Sequence, residues 1–400
     1  MMPDQLLYPR SKSDQITSDL QKIRQQNLYR TPRIINNKNA VEIVVDGKQL
    51  INFSSNDYLG FAKHPEIRAA VKDAALEKGV GSGASPLICG KTSLHYELEK
   101  KLAHATGRDR ALLFSCGYMA NMGVVQALTR TTQQGIFMDE QCHASIVDGV
   151  LVSKAKFKRY QHACPESLRK MLEKHNYKRK LVLTESLFSM DGDIAPLQEI
   201  YAVCRDYQAC LIVDDAHGFG VLGETGMGSL ESFQLSQEEV PLIMATFGKA
   251  LGVQGAFVAG KEEFVEILVQ KARPYIYSTS MTITNVAGVT KALDLVKKEA
   301  PRRRHLKRLI AHFKTGANAL IPTISHDHSP IQSLVIGSPE KTIELSKLLE
   351  KKGVFVVAIR PPTVPRGTSR LRISITADHT IDQVTFLLES LKSATAQLDV

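Results

Sequence analysis

The chain has 400 residues, 43% hydrophobic and 23% charged, with a formal net charge of +10. That length supports a large core and more than one domain, and the composition excludes a disordered or fibrous chain. No apolar run approaches the roughly 20 residues that span a bilayer, and Met1 to Gln26 lacks the apolar middle of a secretory signal; a cytoplasmic protein without membrane partners is expected.

In chain order, residues 1–30 read as a polar amphipathic helix. Val41–Val45 and Leu50–Phe53, separated by Asp46-Gly47, read as a β-hairpin with a tight primed turn. His64–Lys78 fits a helix ended by Gly79. From about 94 to 260, helical stretches alternate with short apolar runs. The clearest are Ala111–Phe114, Leu181–Leu183, Leu211–Val213 and Leu242–Ala245. Strands this apolar suit a parallel sheet covered on both faces, so the fold class is α/β. A long helical stretch then runs from about 285 to 318. Ile331–Ile336, Val354–Ile359 and Leu371–Ile375 read as strands, with helices at 340–352 and 381–395. The expected organisation is a helix and hairpin over 1–50, a large, mostly parallel α/β domain over 51–285 and a smaller C-terminal α+β domain over 286–400.

Cysteines at 89, 116, 142, 164, 204 and 210 form no CxxC pair, which argues against a disulfide framework or a zinc site; no metal is expected. Arg302, Arg303, Arg304, His305, Lys307 and Arg308, interrupted by Leu306, Leu309 and Ile310, read as a solvated helix face. No nucleic-acid-binding signature accompanies them, and no nucleic-acid partner is expected.

The chemistry gathers at strand ends, where open α/β sheets bind ligands. Leu211–Val213 ends in Asp214-Asp215-Ala216-His217-Gly218, and Leu242–Ala245 in Thr246-Phe247-Gly248-Lys249. Leu181–Leu183 leads to Thr184-Glu185 and then Phe188-Ser189-Met190-Asp191-Gly192. Ser115-Cys116-Gly117-Tyr118 turns from a strand into a helix whose N-terminus suits a phosphate. Pyridoxal 5'-phosphate needs a lysine amine, a carboxylate for its ring nitrogen and donors for its phosphate. Each piece alone has an ordinary reading: a solvated lysine, a helix-capping aspartate, a turn serine. Their ordered combination is more specific. A dinucleotide loop at Gly79-Val80-Gly81-Ser82-Gly83-Ala84 is the rival from another class, but such a loop should follow a strand, and here it follows a helical stretch.

The chain resembles the α-oxoamine synthase family of fold-type I pyridoxal-phosphate enzymes over nearly its whole length. The motifs are Asn52 to Gly60, Thr184 to Asp193, Val213 to Gly218, Thr246 to Lys249, Tyr277-Ser278-Thr279-Ser280 and Arg360-Pro361-Pro362-Thr363-Val364-Pro365. The last points to the alanine-using branch rather than to the glycine-using members. The resemblance implies a decarboxylative acyltransferase taking L-alanine and pimeloyl-CoA or a pimeloyl-carrier protein, acting as a homodimer. It gives Lys249 the cofactor bond and the α-proton, Asp214 the ring nitrogen, and His143 a place stacked on the ring. Ser189 and His217 would hydrogen-bond the ring hydroxyl. Gly117, Tyr118 and Thr246 would hold the phosphate, with Ser278 or Thr279 from a partner subunit. Arg372 would bind the amino-acid carboxylate, while Thr363 and Arg30 would contact substrate. Pro86 departs from the family pattern, which often has arginine or glycine there, and bears on the acyl site, because proline fixes φ and removes a donor.

Overall fold

The computed structural model describes residues 10–37, 41–129, 133–318 and 328–398. The polar N-terminal helix is α1 (Arg10–Gln25); it stops short of residue 30, and residues 1–9 lie outside the described ones. Three strands follow: β1 (Ile35–Asn37), β2 (Glu42–Val45) and β3 (Lys48–Asn52). Asp46 and Gly47 take φ of 49° and 79°, and Val45 pairs with Lys48. This is the two-residue primed turn that Asp-Gly favours, since both central residues need positive φ. In α2 (Pro65–Lys78), the His64 side chain accepts from the Glu66 amide, Pro65 opens the helix and Gly79 ends it at φ 85°.

An alternating region comes next: α3 (Ser93–Thr106), β4 (Arg110–Phe114), α4 (Gly117–Leu128), β5 (Gln134–Asp139), α5 (Ala144–Ser153), β6 (Lys156–Tyr160), α6 (Pro165–Lys174), β7 (Arg179–Glu185), α7 (Leu197–Asp206), β8 (Cys210–Asp214), α8 (Ser229–Phe233), β9 (Leu242–Thr246) and β10 (Ala256–Gly260). Its strands form one seven-stranded sheet in the order β4-β10-β9-β8-β7-β5-β6. Only β10 runs antiparallel to its neighbours. Successive residues of β8 enter different cores: Leu211 and Val213 join one hydrophobic cluster and Ile212 the other. A sheet buried on both faces needs apolar residues at every position, which is why these strands read as continuous apolar runs. The Gly79–Ala84 segment follows α2 rather than a strand, so it lacks the context of a dinucleotide loop.

The C-terminal part holds α9 (Glu262–Lys271), α10 (Arg273–Ile276), α11 (Ile283–Lys298), α12 (Ala300–Asn318), β11 (Ile331–Gly337), α13 (Pro339–Lys351), β12 (Val354–Phe355), β13 (Val357–Ile359), β14 (Ser369–Ser374) and α14 (Ile381–Leu398). Two expectations are corrected here. The helical stretch to 318 is two helices, interrupted at Glu299. The single strand expected over 354–359 divides between two sheets. β12 pairs in parallel with β3, while β13 pairs antiparallel with β14. At the crossing point the Val357 amide donates to Ser54 Oγ (3.0 Å), so the backbone donor stays satisfied while the strand changes partner.

The basic run also does more than face solvent. Arg302 pairs with Glu299 and Asp378. Arg303, 5% exposed, donates to the carbonyls of Val296 and Glu224.

Candidate active site

The carboxyl ends of β7, β8 and β9 and the start of α4 surround one cleft. Glu185 and Asp214 are register partners at the ends of β7 and β8. Lys249 lies three residues beyond the end of β9, and Gly117 opens α4 just after β4. The cleft has a cavity volume of about 190 Å³ and is lined by Gly117, Tyr118, Asn121, His143, Ser145, Glu185, Asp214, Ala216, His217, Met244, Thr246 and Lys249. Seven of the expected residues, from Gly117 to Lys249, therefore meet there.

Asp214 is held at both oxygens. Oδ1 accepts from the Ala216 amide (2.9 Å), and Oδ2 accepts from the Asn121 side chain (2.7 Å). Asn121 also donates to Ser145 Oγ (2.9 Å), which lies 2.7 Å from His143 Nδ1. The His143 amide donates to Glu185 Oε1 (2.5 Å). Burial pushes the Glu185 carboxyl well above its ordinary range, and Asp214 adds to that. Burial brings the Lys249 amine down to about 8, against the pull of Asp214 and Glu185. The His143 ring opens on the cleft, and desolvation lowers its pKa while Asp214 works the other way.

A second network reaches the cleft from the C-terminal sheet. Tyr58, fully buried, places its hydroxyl 2.7 Å from His217 Nδ1 and accepts from an Arg372 guanidinium nitrogen (3.4 Å). Burial, then Lys249 and Arg372, push the His217 pKa well below its ordinary value, so the ring is neutral. Arg372 donates further to the Ser189 carbonyl (2.5 Å) and Ser374 Oγ (2.9 Å). It is 7% exposed, and among the described residues no carboxylate pairs with it. A buried guanidinium without a counter-charge is costly, and a substrate carboxylate would relieve it.

The remaining expected residues lie outside the cleft lining. Ser189 reaches Arg372, its backbone carbonyl accepting from the Arg372 Nε. Ser278 and Thr279 line a neighbouring hollow with Pro86, Lys91, His95 and Glu99. There the Ser280 amide donates to the Ala84 carbonyl and Ser82 Oγ to the Ser280 carbonyl, fastening the glycine-rich segment. Pro86 opens a wide turn closed by the Gly90 amide on the Ser85 carbonyl, a first-turn position where a missing donor costs little. Arg30 donates to the carbonyls of Arg360 and Pro361 and lies 3.4 Å from Thr363 Oγ1, so the two expected substrate contacts stand together.

Sequence reasoning gave no role to Asn121, Ser145, Glu185 or Tyr58. Asn121 carried a signal: it is a polar residue in a mostly apolar helix, four positions after Gly117 and so on the same face.

An amine, a doubly anchored carboxylate, an imidazole and a helix N-terminus without a side-chain cap share the cleft. They match the aldehyde, ring nitrogen, π-face and phosphate of pyridoxal phosphate, so the residues present fit that group. Among the described residues no cluster of His, Cys, Asp and Glu is arranged to hold a metal, and no helix is long and apolar enough to cross a membrane.

Comparison with known proteins agrees with this geometry. The model of the family described as aminotransferase class I and II matches residues 48–391. An 8-amino-7-oxononanoate synthase of Cellvibrio japonicus is 48% identical over 376 residues, covering 94% of each chain. A solved serine palmitoyltransferase from S. paucimobilis with bound PLP superposes with a TM-score of 0.91 at 30% identity, over 97% of this chain and 98% of that one. The crystal structure of an 8-amino-7-oxononanoate synthase from Francisella tularensis gives 0.77 at 30% identity, over 88% and 99%. On this sequence identity and this span, the chain belongs to the class I and II aminotransferase family, and within it to the 8-amino-7-oxononanoate synthases.

Proposed function

We propose that the chain is a pyridoxal-phosphate-dependent acyltransferase of biotin biosynthesis. It condenses L-alanine with a pimeloyl thioester, carried by coenzyme A or a carrier protein, to give 8-amino-7-oxononanoate, carbon dioxide and the free thiol. The observation that carries this reading is Lys249 facing Asp214 in one cleft above the open N-terminus of α4, in a chain 48% identical to a curated synthase of that name.

Pyridoxal phosphate, when bound, supplies the electron sink that allows the bonds at an amino acid's Cα to break heterolytically. The protein supplies position, charge and a proton carrier. Lys249 holds the cofactor by its amine and then moves the α-proton; an amine brought down to about 8 is poised to release and accept protons near neutral pH. Asp214 offers a carboxylate to the ring nitrogen, which favours the protonated ring. His143 supports the ring face. The amides of Gly117 and Tyr118, with Thr246, hold the phosphate at a helix N-terminus. His217 and Ser189 would hydrogen-bond the ring hydroxyl. Arg372 takes the alanine carboxylate, and Arg30 with Thr363 contacts the acyl donor.

The segment Tyr277–Ser280 belongs to this proposal as the contribution of a second copy in a homodimer. Tyr277 is 70% exposed, and Ser278 and Thr279 line the adjoining hollow rather than their own chain's cleft. All six cysteines are free, as suits a reducing compartment, and we place the reaction in the cytoplasm.

The test is thiol release from pimeloyl-coenzyme A with alanine, glycine and serine in turn. Highest specificity for alanine supports the reading. Preference for serine or glycine would move the chain to another α-oxoamine reaction, and transamination of keto acids without thiol release would remove it from acyl transfer.

A further inference from the structure

His162 lies outside the cleft, between two carboxylates. Its Nδ1 is 3.0 Å from Asp139 Oδ1, and its Nε2 is 2.6 Å from Asp193 Oδ2. Phe188 packs against the ring edge-on, with centroids 4.3 Å apart. An imidazole with both nitrogens against carboxylate oxygens donates from both, so it is a cation. Burial opposes the charge, yet the bonds to Asp139 and Asp193 lift its pKa to about 10.

The two carboxylates are unequal. Asp139, fully buried at the end of β5, also accepts from the amides of Gln141 (2.8 Å) and Ala163 (2.7 Å). Asp193 Oδ1 is buried with no hydrogen-bond partner among the described residues, so the charge of Asp193 leans on His162. Asp139 is thus the fixed post, and Asp193 the group being held.

Asp193 closes the turn Phe188–Asp193. The Phe188 amide donates to the Asp193 carbonyl and the Gly192 amide to the Phe188 carbonyl, both at 3.0 Å. The other side of this turn meets β11 and β14. Asp191 holds Arg370 and accepts from Ser333 Oγ (2.8 Å), and the Ser189 carbonyl accepts from Arg372 Nε (2.5 Å). One short turn therefore links the His162 clamp to the arginine of the C-terminal sheet.

We propose that His162 is a positioning residue: clamped between Asp139 and Asp193, it fixes the Phe188–Asp193 turn, whose Ser189 carbonyl aims Arg372 at the carboxylate of the amino-acid substrate. This rests on the reading of Arg372 as the carboxylate arm. A neutral side chain at 162 takes the cation from a half-buried Asp193 whose Oδ1 is buried without a partner among the described residues, and the turn shifts to hydrate it. The amino acid then loses orientation, while the Lys249 chemistry stays intact.

The experiment compares His162→Gln, Asp193→Asn and Arg372→Lys with the parent holoenzyme, together with amide exchange of the cofactor-free protein. His162→Gln is expected to raise the alanine KM about tenfold, the factor that roughly 1.4 kcal/mol represents. The kcat should stay within about twofold and the thioester KM unchanged, the pattern of lost binding rather than lost chemistry. Exchange of the Phe188 and Gly192 amides should quicken by about the same factor. Asp193→Asn, the milder variant, should reproduce the effect if His162→Gln folds poorly. If Arg372→Lys raises the alanine KM while both clamp variants leave it unchanged, the clamp proposal falls and the reading of Arg372 stands. If Arg372→Lys leaves it unchanged, both fall. Equal losses in kcat and in both KM values in the clamp variants would make His162 a general structural residue and overturn the proposal.

Discussion

The Asn121 side-chain amide donates to Asp214 Oδ2 at 2.7 Å. Its other hydrogen reaches Ser145 Oγ at 2.9 Å, and Ser145 in turn neighbours His143. One amide on α4 therefore fixes the carboxylate at the floor of the cleft and, through a hydroxyl, the imidazole above it. Asn121 is 5% exposed and Asp214 6%, so neither partner can exchange the other for water at no cost.

Asn121→Ala should leave Asp214 Oδ2 buried without its donor. The cofactor-free protein should lose about 1–3 kcal/mol, the usual cost of an orphaned buried acceptor. Chemical denaturation of the two cofactor-free proteins measures this; an unchanged midpoint would contradict the bridging role.

Lys249→Ala should abolish turnover and the near-ultraviolet imine absorbance while the protein stays folded. A variant that still turns over and keeps a borohydride-reducible adduct would remove Lys249 from its role.

Cofactor capture should depend on pH with a midpoint near 8. Only the neutral amine attacks an aldehyde, so the rate should rise with pH. The rise should come well below the ordinary lysine value of 10.5, because burial brings Lys249 down to about 8. Asp214 works against that lowering, so Asp214→Asn should move the midpoint further down. Stopped-flow reconstitution from pH 6.5 to 9.5 would show both effects, and a midpoint above 10 would refute them.

Sedimentation should show a dimer, with Ile88→Glu shifting it towards a monomer of lower activity. Ile88 is 78% exposed and Tyr277 70%, on segments joined by the Ser280–Ala84 hydrogen bond. A fully active monomer would defeat the shared-site arrangement.

Alanine should be preferred to glycine by roughly 10–200-fold in specificity constant, since one methyl in a pocket contributes only about 1–3 kcal/mol. Thiol release with each amino acid measures it. A glycine preference would defeat the alanine assignment and leave the broader acyltransfer chemistry standing.

What was legible in the sequence was local or imposed by layering. Asp46-Gly47 announces its turn because only certain residues accept two successive positive φ angles. The apolar runs of β4, β7, β8 and β9 announce a covered parallel sheet, and parallel strands carry their carboxyl ends to one edge. Lys249, Asp214 and the α4 N-terminus therefore belong together at that edge on sequence grounds.

Only the tertiary structure decided the rest, because it depends on partners far apart in the chain. Val354–Ile359 reads as one strand, yet β3 takes its first half and β14 its second; no local pattern encodes a change of sheet. Tyr58 meets His217 across 159 residues, and Arg372 meets the Ser189 carbonyl across 183. Ser189 illustrates the limit: its motif marks the position, but the bond from Arg372 to its carbonyl depends on how the turn packs against β14. The sequence by itself determined which chemical groups stand at the sheet edge, since strand and turn propensities act over a few residues. The clamps that aim those groups, His162 on Asp193 and Asn121 on Asp214, exist only once the sheet and its helices have closed, because a hydrogen bond between distant residues requires the whole fold to bring donor and acceptor within 3 Å.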